Sequence, residues 1–482
     1  MKYKSFSDVA ATIGRHAPPP QRPIVCVQGL GFVGAAMAIA VANARDSSGS
    51  PHFNVIGVDL PTCGGLAKIE AINSGTFPFR HNDPNLASAL RDAHSAGNLI
   101  ATSDPEVYSV ASTVTVDVPL DVKFDRGGAR LKLDEFREAV RVVGKFIQPG
   151  CLLIIETTVP PGTCEKVIAP ELAATLKGRG LPEDGFLLAH SYERVMPGKG
   201  YFDSIVNYWR VYAGLTPAAA NACEAFLSKV IDVKNYPLSR MVSITASETG
   251  KVLENSYRAT TIAFIEEWSQ FAESIGIDLF EVIHAIQKRP THSNMRLPGF
   301  GVGGYCLTKD PLLAALGTRE LFGLEEIRFP FCELALAVNR AMPLVSLDKV
   351  QKMLGDSLQE KSVFLLGVSY RPEIGDTRYS PSQLFVTEAR ARGAQVTCFD
   401  PFVDYWPELD EQLPAELPTH LDVDAVVFAV AHEEFKTLNV KTWLNGSRPV
   451  VLDANNVLGK EQRRAFRAAG CKLASIGRGE GL

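Results

Sequence analysis

The segment that most constrains the fold is PIVCVQGLGFVGAAMAIAVANA, residues 23–44. It predicts a short β-branched strand, a glycine turn and an alanine-rich helix, the order that a dinucleotide-binding unit requires. Gly29, Gly31 and Gly34 have the spacing G-x-G-x-x-G, which permits a tight turn, close approach of a pyrophosphate to backbone N–H groups, and close helix packing. The phosphate would lie at the helix N-terminus. The alternative is a glycine turn without a ligand.

A second predicted strand, FNVIGVDL, brings an acidic residue, Asp59, to the place where a dinucleotide-binding sheet recognises ribose. A carboxylate there binds the 2′-hydroxyl and favours NAD over NADP. Asp59 lies further from the glycines than the usual spacing of about 20 residues. We attribute the excess to a polar surface loop, residues 45–52. The alternative is that Asp59 only caps a turn.

Further strands are predicted at STVTVDVP and at CLLIIETTVPPGT, and the second of these ends on Thr157 and Thr158. Its apolar run is typical of a buried parallel strand. Polar residues at the carboxyl end of such a strand point into the ligand crevice. The two hydroxyls therefore orient a nicotinamide or a catalytic water, or else they only satisfy the backbone of a turn.

Residues 243–277, SITASETGKVLENSYRATTIAFIEEWSQFAESIGI, predict a long helix. Lys251 and Asn255 are four residues apart and therefore share a face. Their apolar neighbours predict partial burial, which lowers the pKa of a lysine and suits it to proton transfer. These neighbours are Ala246, Val252, Leu253 and Tyr257. The alternative is a solvated surface pair.

Cys306 differs from the other cysteines because it follows a cluster of glycines in GFGVGGYCLTKD, residues 299–310. Most free cysteines are small packing residues. Here Lys309 and the predicted start of a helix at DPLLAAL supply positive potential that favours a thiolate. The glycines suggest that a ligand or backbone comes close. They are Gly299, Gly301, Gly303 and Gly304.

A second α/β sheet is predicted after a connecting helix, FCELALAVNRAMPLVSLDKVQKML. Its strands lie in KSVFLLGVSYRPEIGDTRYSP, RGAQVTCFDPFVD, VDAVVFAVAHEEF and RPVVLDANNVL. Arg371, Asp376 and Arg378 follow the first strand, Asp400 the second and His432 the third. Arginine suits bidentate phosphate binding, so this sheet is predicted to bind a second nucleotide. The alternative is an ion-paired turn in RPEIGDTR.

Length and composition bound the remaining possibilities. A chain of 482 residues exceeds the roughly 250–300 that one core supports, so two or three domains are expected. A net charge of −5 lacks the basic footprint of nucleic-acid or membrane binding, and no apolar run reaches the roughly 18 residues of a membrane span. The N-terminus lacks a signal-peptide pattern, so a cytoplasmic protein is expected. The nine scattered cysteines, without CxxC, predict no disulfide framework and no metal site, and most are expected to be reduced and buried.

The chain after about Pro23 resembles the nucleotide-diphosphate-sugar 6-dehydrogenases, the UDP-glucose and GDP-mannose dehydrogenase family. The matching segments, in family order, are GLGFVG, VD, KIEAINSG, TTVPPGT, YERVMPG, ETGKVLENSYRA, GVGGYCLTKD and GVSYRPEIGDTRYSP. The resemblance implies two Rossmann-like domains with parallel sheets, for NAD and for the sugar nucleotide. It also implies a central helical domain, with the long helix, that forms a dimer interface. We place these domains at 23–235, 236–350 and 351–482, after a tail (1–22) that is disordered or packs on a neighbour.

The same resemblance implies roles for individual residues. Cys306 is the nucleophile, Lys251, Asn255 and Asp310 surround the reacting C6 carbon, and Thr158 and Glu193 position a water. The implied NAD-binding residues are Gly29, Gly31, Phe32, Val33, Gly34, Asp59, Lys68, Thr158, Lys309 and Arg378. The implied substrate-binding residues are Glu193, Arg194, Lys251, Asn255, Gly303, Gly304 and Arg371, the last at a place where the family commonly has lysine. The chain departs from the family at Ser191-Tyr192, often Cys-Pro or Ser-Pro, and at Leu120, often threonine.

The implied reaction is an NAD-dependent, four-electron oxidation of the C6 alcohol of a UDP-sugar to a uronic acid, in polysaccharide biosynthesis. It proceeds through a cysteine thiohemiacetal and a thioester, with Lys251 or a water held by Asp310 as the base. YERVMPG and GVGG favour a UDP-N-acetylhexosamine. Three alternatives stay open: UDP-glucose or GDP-mannose as substrate, a two-electron dehydrogenase that needs no cysteine, and a non-catalytic sugar-nucleotide-binding protein.

Overall fold

The computed structural model describes residues 5–15, 22–125, 128–419 and 421–479. The chain forms two compact units. The first unit contains residues 1–253 and 312–328, and the second contains residues 254–311 and 329–482.

The first unit is built on an eight-stranded sheet with the order β10-β9-β8-β7-β4-β1-β2-β3. Its neighbouring strands are parallel except for β8 and β9, which are antiparallel. The strands are β1 (Ile24–Gln28), β2 (Asn54–Val58), β3 (Leu99–Thr102), β4 (Thr113–Val116), β7 (Leu152–Ile155), β8 (Leu187–His190), β9 (Val211–Gly214) and β10 (Ser239–Arg240), and a separate hairpin pairs β5 (Asp121–Asp125) with β6 (Gly128–Lys132).

Helices flank this sheet. They are α1 (Phe6–Arg15), α2 (Phe32–Ala42), α3 (Cys63–Asn73), α4 (Pro84–Ala96), α5 (Leu133–Gly144), α6 (Ala169–Gly178), α7 (Asp203–Val206) and α8 (Pro217–Val230), with a 3₁₀ turn at Pro105–Val110 and a π turn at Cys164–Ile168. Part of the predicted tail is thus helical: Val9 of α1 is buried in the core of the unit, and Asp104 accepts a hydrogen bond from the N–H of Phe6. The rest of that tail, residues 1–4 and 16–21, lies outside the described residues.

The core of the first unit explains the sequence of α2. This helix is buried continuously from Gly34 to Ala42, so it is small and apolar on every side. A Cβ atom on Gly34 would lie 1.8 Å from the carbonyl oxygen of Gly29, which confirms that close packing of helix and turn requires glycine here.

The second unit contains a five-stranded, fully parallel sheet with the order β12-β11-β15-β16-β17. Its strands are β11 (Ser362–Leu366), β12 (Gln395–Phe399), β15 (Ala425–Phe428), β16 (Val450–Asp453) and β17 (Leu473–Ser475), and a small hairpin pairs β13 (Tyr405–Trp406) with β14 (Glu411–Gln412). The parallel sheet confirms the predicted second α/β region.

The remaining helices include the predicted long one, α9. They are α9 (Ile244–Ser274), α10 (Leu279–Gln287), α11 (Asp310–Glu320), α12 (Pro330–Met353), α13 (Pro381–Ala391), α14 (Glu433–Lys436), α15 (Val440–Leu444) and α16 (Lys460–Ala468), with a 3₁₀ turn at Pro290–His292. Among the described residues, no helix combines the length and the apolar character that a membrane crossing needs.

Candidate active site

The glycine turn of the first unit has the geometry of a phosphate site. Gly29 has a φ of +94°, and its N–H donates to the carbonyl oxygen of Val58 at the end of β2. Gly31 caps α2 without a side-chain hydrogen bond, and no atom lies within 4 Å of where its Cβ would be. The first N–H groups of α2 can therefore donate to a phosphate, so this turn fits NAD. Phe32 stacks on Phe79 at 3.9 Å, and Val33 is half-buried.

Asp59 closes the same turn from the next strand. Its carboxylate accepts hydrogen bonds from the N–H of Leu30 (2.9 Å), the N–H of Leu60 (2.8 Å) and the ammonium of Lys68 (2.6 Å). The turn-capping role is therefore observed. The side chain keeps 10% of its surface exposed, and its contact with a ribose, like that of Lys68 with NAD, stays a prediction.

The two threonines after β7 differ in what they contact. Thr157 donates to the carbonyl oxygens of Val116 (3.1 Å) and Val118 (2.7 Å), so it satisfies the turn backbone. Thr158, half-buried, follows it at the carboxyl end of the sheet, where a ligand role stays predicted. The loop after these threonines is anchored by Glu248 of α9, whose buried carboxylate accepts the N–H groups of two loop residues, at 162 (2.6 Å) and 164 (2.7 Å). Burial raises the pKa of Glu248 to about 7.

Lys251 and Glu193 form a buried pair in the first unit. The lysine is 6% exposed, which confirms its predicted burial. Its ammonium donates to the carbonyl oxygen of Glu193 at 2.7 Å and lies 3.7 Å from the carboxylate. It also lies 5.4 Å from the centre of the buried Tyr192 ring, so the Tyr192 departure packs against the lysine. Arg194 donates to the carbonyl oxygen of Trp209 at 2.7 Å.

Two buried acids that sequence reasoning missed lie beside this pair. Asp117 follows β4 and Glu156 follows β7, on neighbouring strands, and Arg210 is 3.1 Å from Glu156. Burial raises the pKa of both carboxyls, and each also feels the negative charge of Glu193. The signal that was available is their position directly after a buried parallel strand. The predicted departure at Leu120 is fully buried.

In the second unit, the glycines before Cys306 accommodate the protein's own side chains. A Cβ on Gly303 or Gly304 would lie 2.6 Å from an atom of Tyr370, and one on Gly301 would lie 2.6 Å from Pro381. We therefore explain these glycines first by packing. A direct contact of Gly303 or Gly304 with substrate stays a prediction.

Cys306 itself is partly exposed, whereas six of the nine free cysteines are buried. The carbonyl oxygen of Cys306 accepts the N–H groups of Lys309 (3.2 Å) and Asp310 (2.9 Å). Its thiol interacts electrostatically with the Arg378 guanidinium and with Tyr370, whose phenol pKa is raised by burial. A cationic neighbour and partial exposure are what a reactive thiol needs.

Asp310 organises the buried polar groups next to the cysteine. It is fully buried and accepts hydrogen bonds from the Asn255 amide (2.7 Å) and from the Lys309 ammonium (2.9 Å). The ammonium also lies 4.3 Å from the centre of the Tyr305 ring. The structure therefore brings Asn255, Lys309 and Asp310 together, while a contact of Lys309 with NAD stays a prediction.

The arginines of the second unit fall into two groups. Arg378 forms a bidentate ion pair with Asp376 (2.9 and 2.7 Å), so the ion-paired turn is observed. Arg371 and Arg296 each feel the charge of Arg258, and sequence reasoning missed both Arg258 and Arg296: burial, and then the charge of Arg258, lowers the pKa of Arg371 and of Arg296. Mutually repelling guanidinium groups of this kind suit an anionic ligand. No cluster of metal-ligating side chains occurs among the described residues.

Comparison with known proteins agrees with this division of sites. Residues 24–230 match the NAD binding domain of the UDP-glucose/GDP-mannose dehydrogenase family, residues 245–341 its central domain, and residues 364–460 its UDP binding domain. A UDP-N-acetyl-D-mannosamine dehydrogenase from Pyrococcus horikoshii is 31% identical over 464 residues, which cover 95% of this chain and 99% of that protein. The chain belongs to the UDP-glucose/GDP-mannose dehydrogenase family.

One further relative and one solved structure extend this comparison. An NDP-N-acetyl-D-galactosaminuronic acid dehydrogenase from Ralstonia nicotianae is 28% identical over 86% of this chain and 92% of that protein. The solved structure of the UDP-D-ManNAc dehydrogenase from Pyrococcus horikoshii has a TM-score of 0.77, with 28% identity, over 95% of this chain and 100% of that chain. The protein is therefore an NAD-dependent nucleotide-sugar dehydrogenase that oxidises a UDP-sugar, and its cofactor is NAD.

Proposed function

We propose that this family member oxidises the C6 alcohol of a UDP-N-acetylhexosamine to the uronic acid, in four electrons, through a covalent intermediate on Cys306. The observation that carries the proposal is a partly exposed thiol beside a cation, two residues after a tightly packed glycine loop. The names of the two relatives, which act on N-acetylated amino sugars, support the sugar class. Uronic acids of this class are building blocks for polysaccharides, and we propose that the enzyme supplies polysaccharide biosynthesis.

The first half of the proposed reaction forms an aldehyde. When bound, NAD⁺ would accept a hydride from the carbon that is oxidised. The glycine turn and Asp59 would hold the NAD⁺. Lys251, or a water held by Asp310, takes the proton of the C6 hydroxyl. The Cys306 thiolate then adds to the aldehyde carbon and gives a thiohemiacetal. Lys251 and Asn255 donate to the developing oxyanion, a contribution of roughly 3 kcal/mol per donor in other enzymes.

The second half forms the acid. Loss of a second hydride converts the thiohemiacetal into a thioester on Cys306. A water positioned by Thr158 and Glu193 adds to the thioester carbon, and the thiolate leaves. Two NAD⁺ are reduced and one water is consumed for each sugar. A two-electron dehydrogenase would reduce one NAD⁺ and would stop at the aldehyde.

For the sugar nucleotide we assign Arg371, Arg258 and Arg296 to the diphosphate. Their mutual repulsion supports this assignment, because a dianionic group would neutralise it. Arg194, Gly303 and Gly304 are assigned to the sugar on the family resemblance.

The experiment offers a panel of UDP- and GDP-sugars with NAD⁺ and measures NADH absorbance and uronate. We expect the largest kcat/KM for a UDP-N-acetylhexosamine and two NADH per sugar. Cys306→Ala should abolish uronate formation, a loss of at least about a thousandfold. The matched control is Cys398→Ala, since Cys398 is a buried residue of strand β12 in the second sheet. Equal uronate production by wild type and Cys306→Ala would contradict the mechanism, and one NADH per sugar would favour the simpler dehydrogenase.

We also propose a homodimer. The outer face of α9 and the residue directly after it expose large apolar side chains at the spacing of a helix-packing seam. They are Tyr257, Phe264, Trp268, Phe271 and Ile275. Light scattering should give twice the chain mass, and Trp268→Glu should shift it toward the monomer.

A further inference from the structure

His432 is a fully buried histidine that the proposed reaction does not use. It follows β15, and its Nε2 atom lies 3.2 Å from the Asp400 carboxylate and 3.1 Å from the Ser369 hydroxyl. Its Nδ1 atom lies 3.1 Å from the backbone nitrogen of Glu373. Because a backbone N–H can only donate, Nδ1 is the acceptor. Nδ1 also lies 3.6 Å from the Glu373 carboxylate, while Nε2 faces Asp400 and Ser369.

Asp400 and His432 together hold one segment of chain, residues 368–380, which we call the arginine loop. Asp400 accepts the N–H groups of Val368 and Ser369, each at 2.9 Å, and the hydroxyl of Ser369 at 2.8 Å. His432 accepts the N–H of Glu373, a residue in the left-handed region with a φ of +64°. A non-glycine residue keeps such a conformation only where its surroundings impose it. The two buried side chains thus fix the first half of the loop.

The second half of the arginine loop carries the cysteine loop, residues 299–310. The carbonyl oxygen of Arg378 accepts the N–H of Gly304 at 3.2 Å. The Tyr370 side chain fills the space that side chains at 303 and 304 would occupy, with its Cβ atom at 303 and its ring at 304. The Tyr305 ring lies 5.8 Å from the Arg378 guanidinium and 6.1 Å from the Tyr379 ring. A shift of the arginine loop therefore moves the backbone directly before Cys306, together with its cationic neighbour.

We propose that His432 and Asp400 are positioning residues for Cys306. In this proposal they act through the backbone: they fix the arginine loop, which places the glycines before the thiol and the guanidinium beside it. The proposal deepens the proposed function, on which its catalytic consequence rests. The thiol itself can be observed without turnover, so the two can be tested apart.

The variants separate hydrogen bonding from bulk. His432→Leu keeps a similar volume but removes both the donor and the acceptor. His432→Gln restores one of each. The matched control is Phe466→Leu, because Phe466 is equally buried in the same unit but packs in the core on α16. It lowers stability without touching the arginine loop.

The measurement is the alkylation of Cys306 by iodoacetamide from pH 6 to pH 10, resolved by mass spectrometry, with Cys332 as an internal reference thiol. Arg378 and Tyr370 interact electrostatically with the Cys306 thiol, and the charged residues Lys309 and Asp310 donate their backbone N–H groups to its carbonyl oxygen. We expect His432→Leu to raise the pH midpoint by about one unit, and so to slow alkylation about tenfold below the midpoint, since the guanidinium no longer favours the thiolate. His432→Gln should recover most of this loss, and Phe466→Leu should match wild type.

Turnover gives a second readout. We expect kcat of His432→Leu to fall about tenfold and KM for NAD⁺ to change less than kcat, because the glycine turn is in the first unit and, of the predicted NAD-binding residues, only Lys309 and Arg378 are in the second. A folded His432→Leu protein with wild-type alkylation rate and midpoint would overturn the proposal, and so would an equal loss in Phe466→Leu. If Cys306→Ala still formed uronate, the proposed function would fail, whereas the alkylation result would stand.

Discussion

The two sheets share the geometry of the glycine turn after their first strand, but the two turns serve different purposes. In the first unit, the N–H of Gly29 donates to Val58 at 2.8 Å, and in the second, the N–H of Gly367 donates to Phe399 at the same distance. Both glycines have a positive φ, +94° and +102°. In each unit an aspartate after the second strand, Asp59 or Asp400, accepts a backbone N–H from the loop after the first strand.

The difference lies in the segment after the glycine and in the groups that cover the aspartate. In the first unit α2 begins at Phe32, so its N-terminus is presented at the turn. In the second, residues 368–380 intervene before α13, and they carry arginines. The Asp59 side chain keeps 10% exposure beside Lys68, whereas Asp400 is sealed by His432. One turn thus leaves room for a pyrophosphate and a ribose, and the other positions a loop.

The largest effect that tests this comparison is expected at the glycines. Gly34→Ala places a Cβ 1.8 Å from a backbone oxygen, so it should abolish NAD⁺ binding and destabilise the first unit by about 3 kcal/mol or more. Gly31→Ala is the matched control, because its Cβ meets no protein atom. It should fold normally and still bind NAD⁺ poorly. Calorimetry and NAD⁺ titration check both.

The corresponding change in the second unit is Gly367→Ala, whose Cβ would lie 2.4 Å from Val430. It should lower the stability of that unit and leave the NAD⁺ dissociation constant unchanged. If Gly31→Ala bound NAD⁺ as wild type does, the pyrophosphate would not lie against this turn.

A smaller effect is expected at the two aspartates. Asp59→Asn should weaken NAD⁺ binding about tenfold, since a charge-assisted hydrogen bond to ribose is lost, with little change in stability. Asp400→Asn should affect NAD⁺ affinity less than Asp59→Asn does and lower the free energy of unfolding by about 2 kcal/mol, because it weakens a buried network. Isothermal titration and calorimetry of both variants separate the roles. An unchanged affinity in Asp59→Asn would reduce Asp59 to a turn cap.

Local sequence patterns correctly predicted several strands of the two sheets and the long helix. Several strands and the long helix α9 lie within the segments predicted for them, because their apolar runs or periodicity can be recognised in the sequence. These strands are β1, β2, β4, β7, β11, β12, β15 and β16. Strands β3, β8 and β9 lie outside the segments predicted as strands, and they become strands by pairing with neighbours. The antiparallel direction of β9 relative to β8 likewise depends on strand pairing and not on the composition of β9.

The candidate sites divide in the same way. Cys306, Lys251, Asn255 and Asp310 lie in recognisable motifs, and the structure confirms the burial of Lys251. By contrast, the packing of Tyr370 against Gly304 joins residues far apart in the chain, and no local pattern predicts such a contact. The same holds for the bond between Asp400 and His432. Each is predicted as a polar residue after a strand, but the sheet order that makes them neighbours is a property of the fold.

The smallest expected effect is a pH dependence of stability, with opposite signs in the two units. Burial alone would raise the pKa of the Asp400 carboxyl, but hydrogen bonds from His432 and from backbone N–H groups hold it below its usual value. Its stabilising contribution is therefore present above the unfolded pKa of about 3.9 and is lost as the pH falls below that value. Burial raises the pKa of Glu156 in the first unit, so its contribution is present below about 4.3 and is lost as the pH rises toward its folded pKa.

Amide hydrogen exchange can follow each sheet separately, at Leu153 and Ile155 of β7 and at Val396 and Cys398 of β12. Protection of β7 should fall as the pH rises above about 4.3, and protection of β12 should fall as the pH drops below about 4. In each strand, a difference of one unit between the folded and unfolded carboxyl pKa corresponds to about a tenfold change in protection. Glu156→Gln should reduce the slope of only the first profile, because burial also raises the pKa of Asp117, which still contributes to it, and Asp400→Asn should flatten only the second. If both strands lost protection in the same direction, burial and not hydrogen bonding would dominate at Asp400, and the contrast between an open and a sealed carboxylate would have no energetic basis.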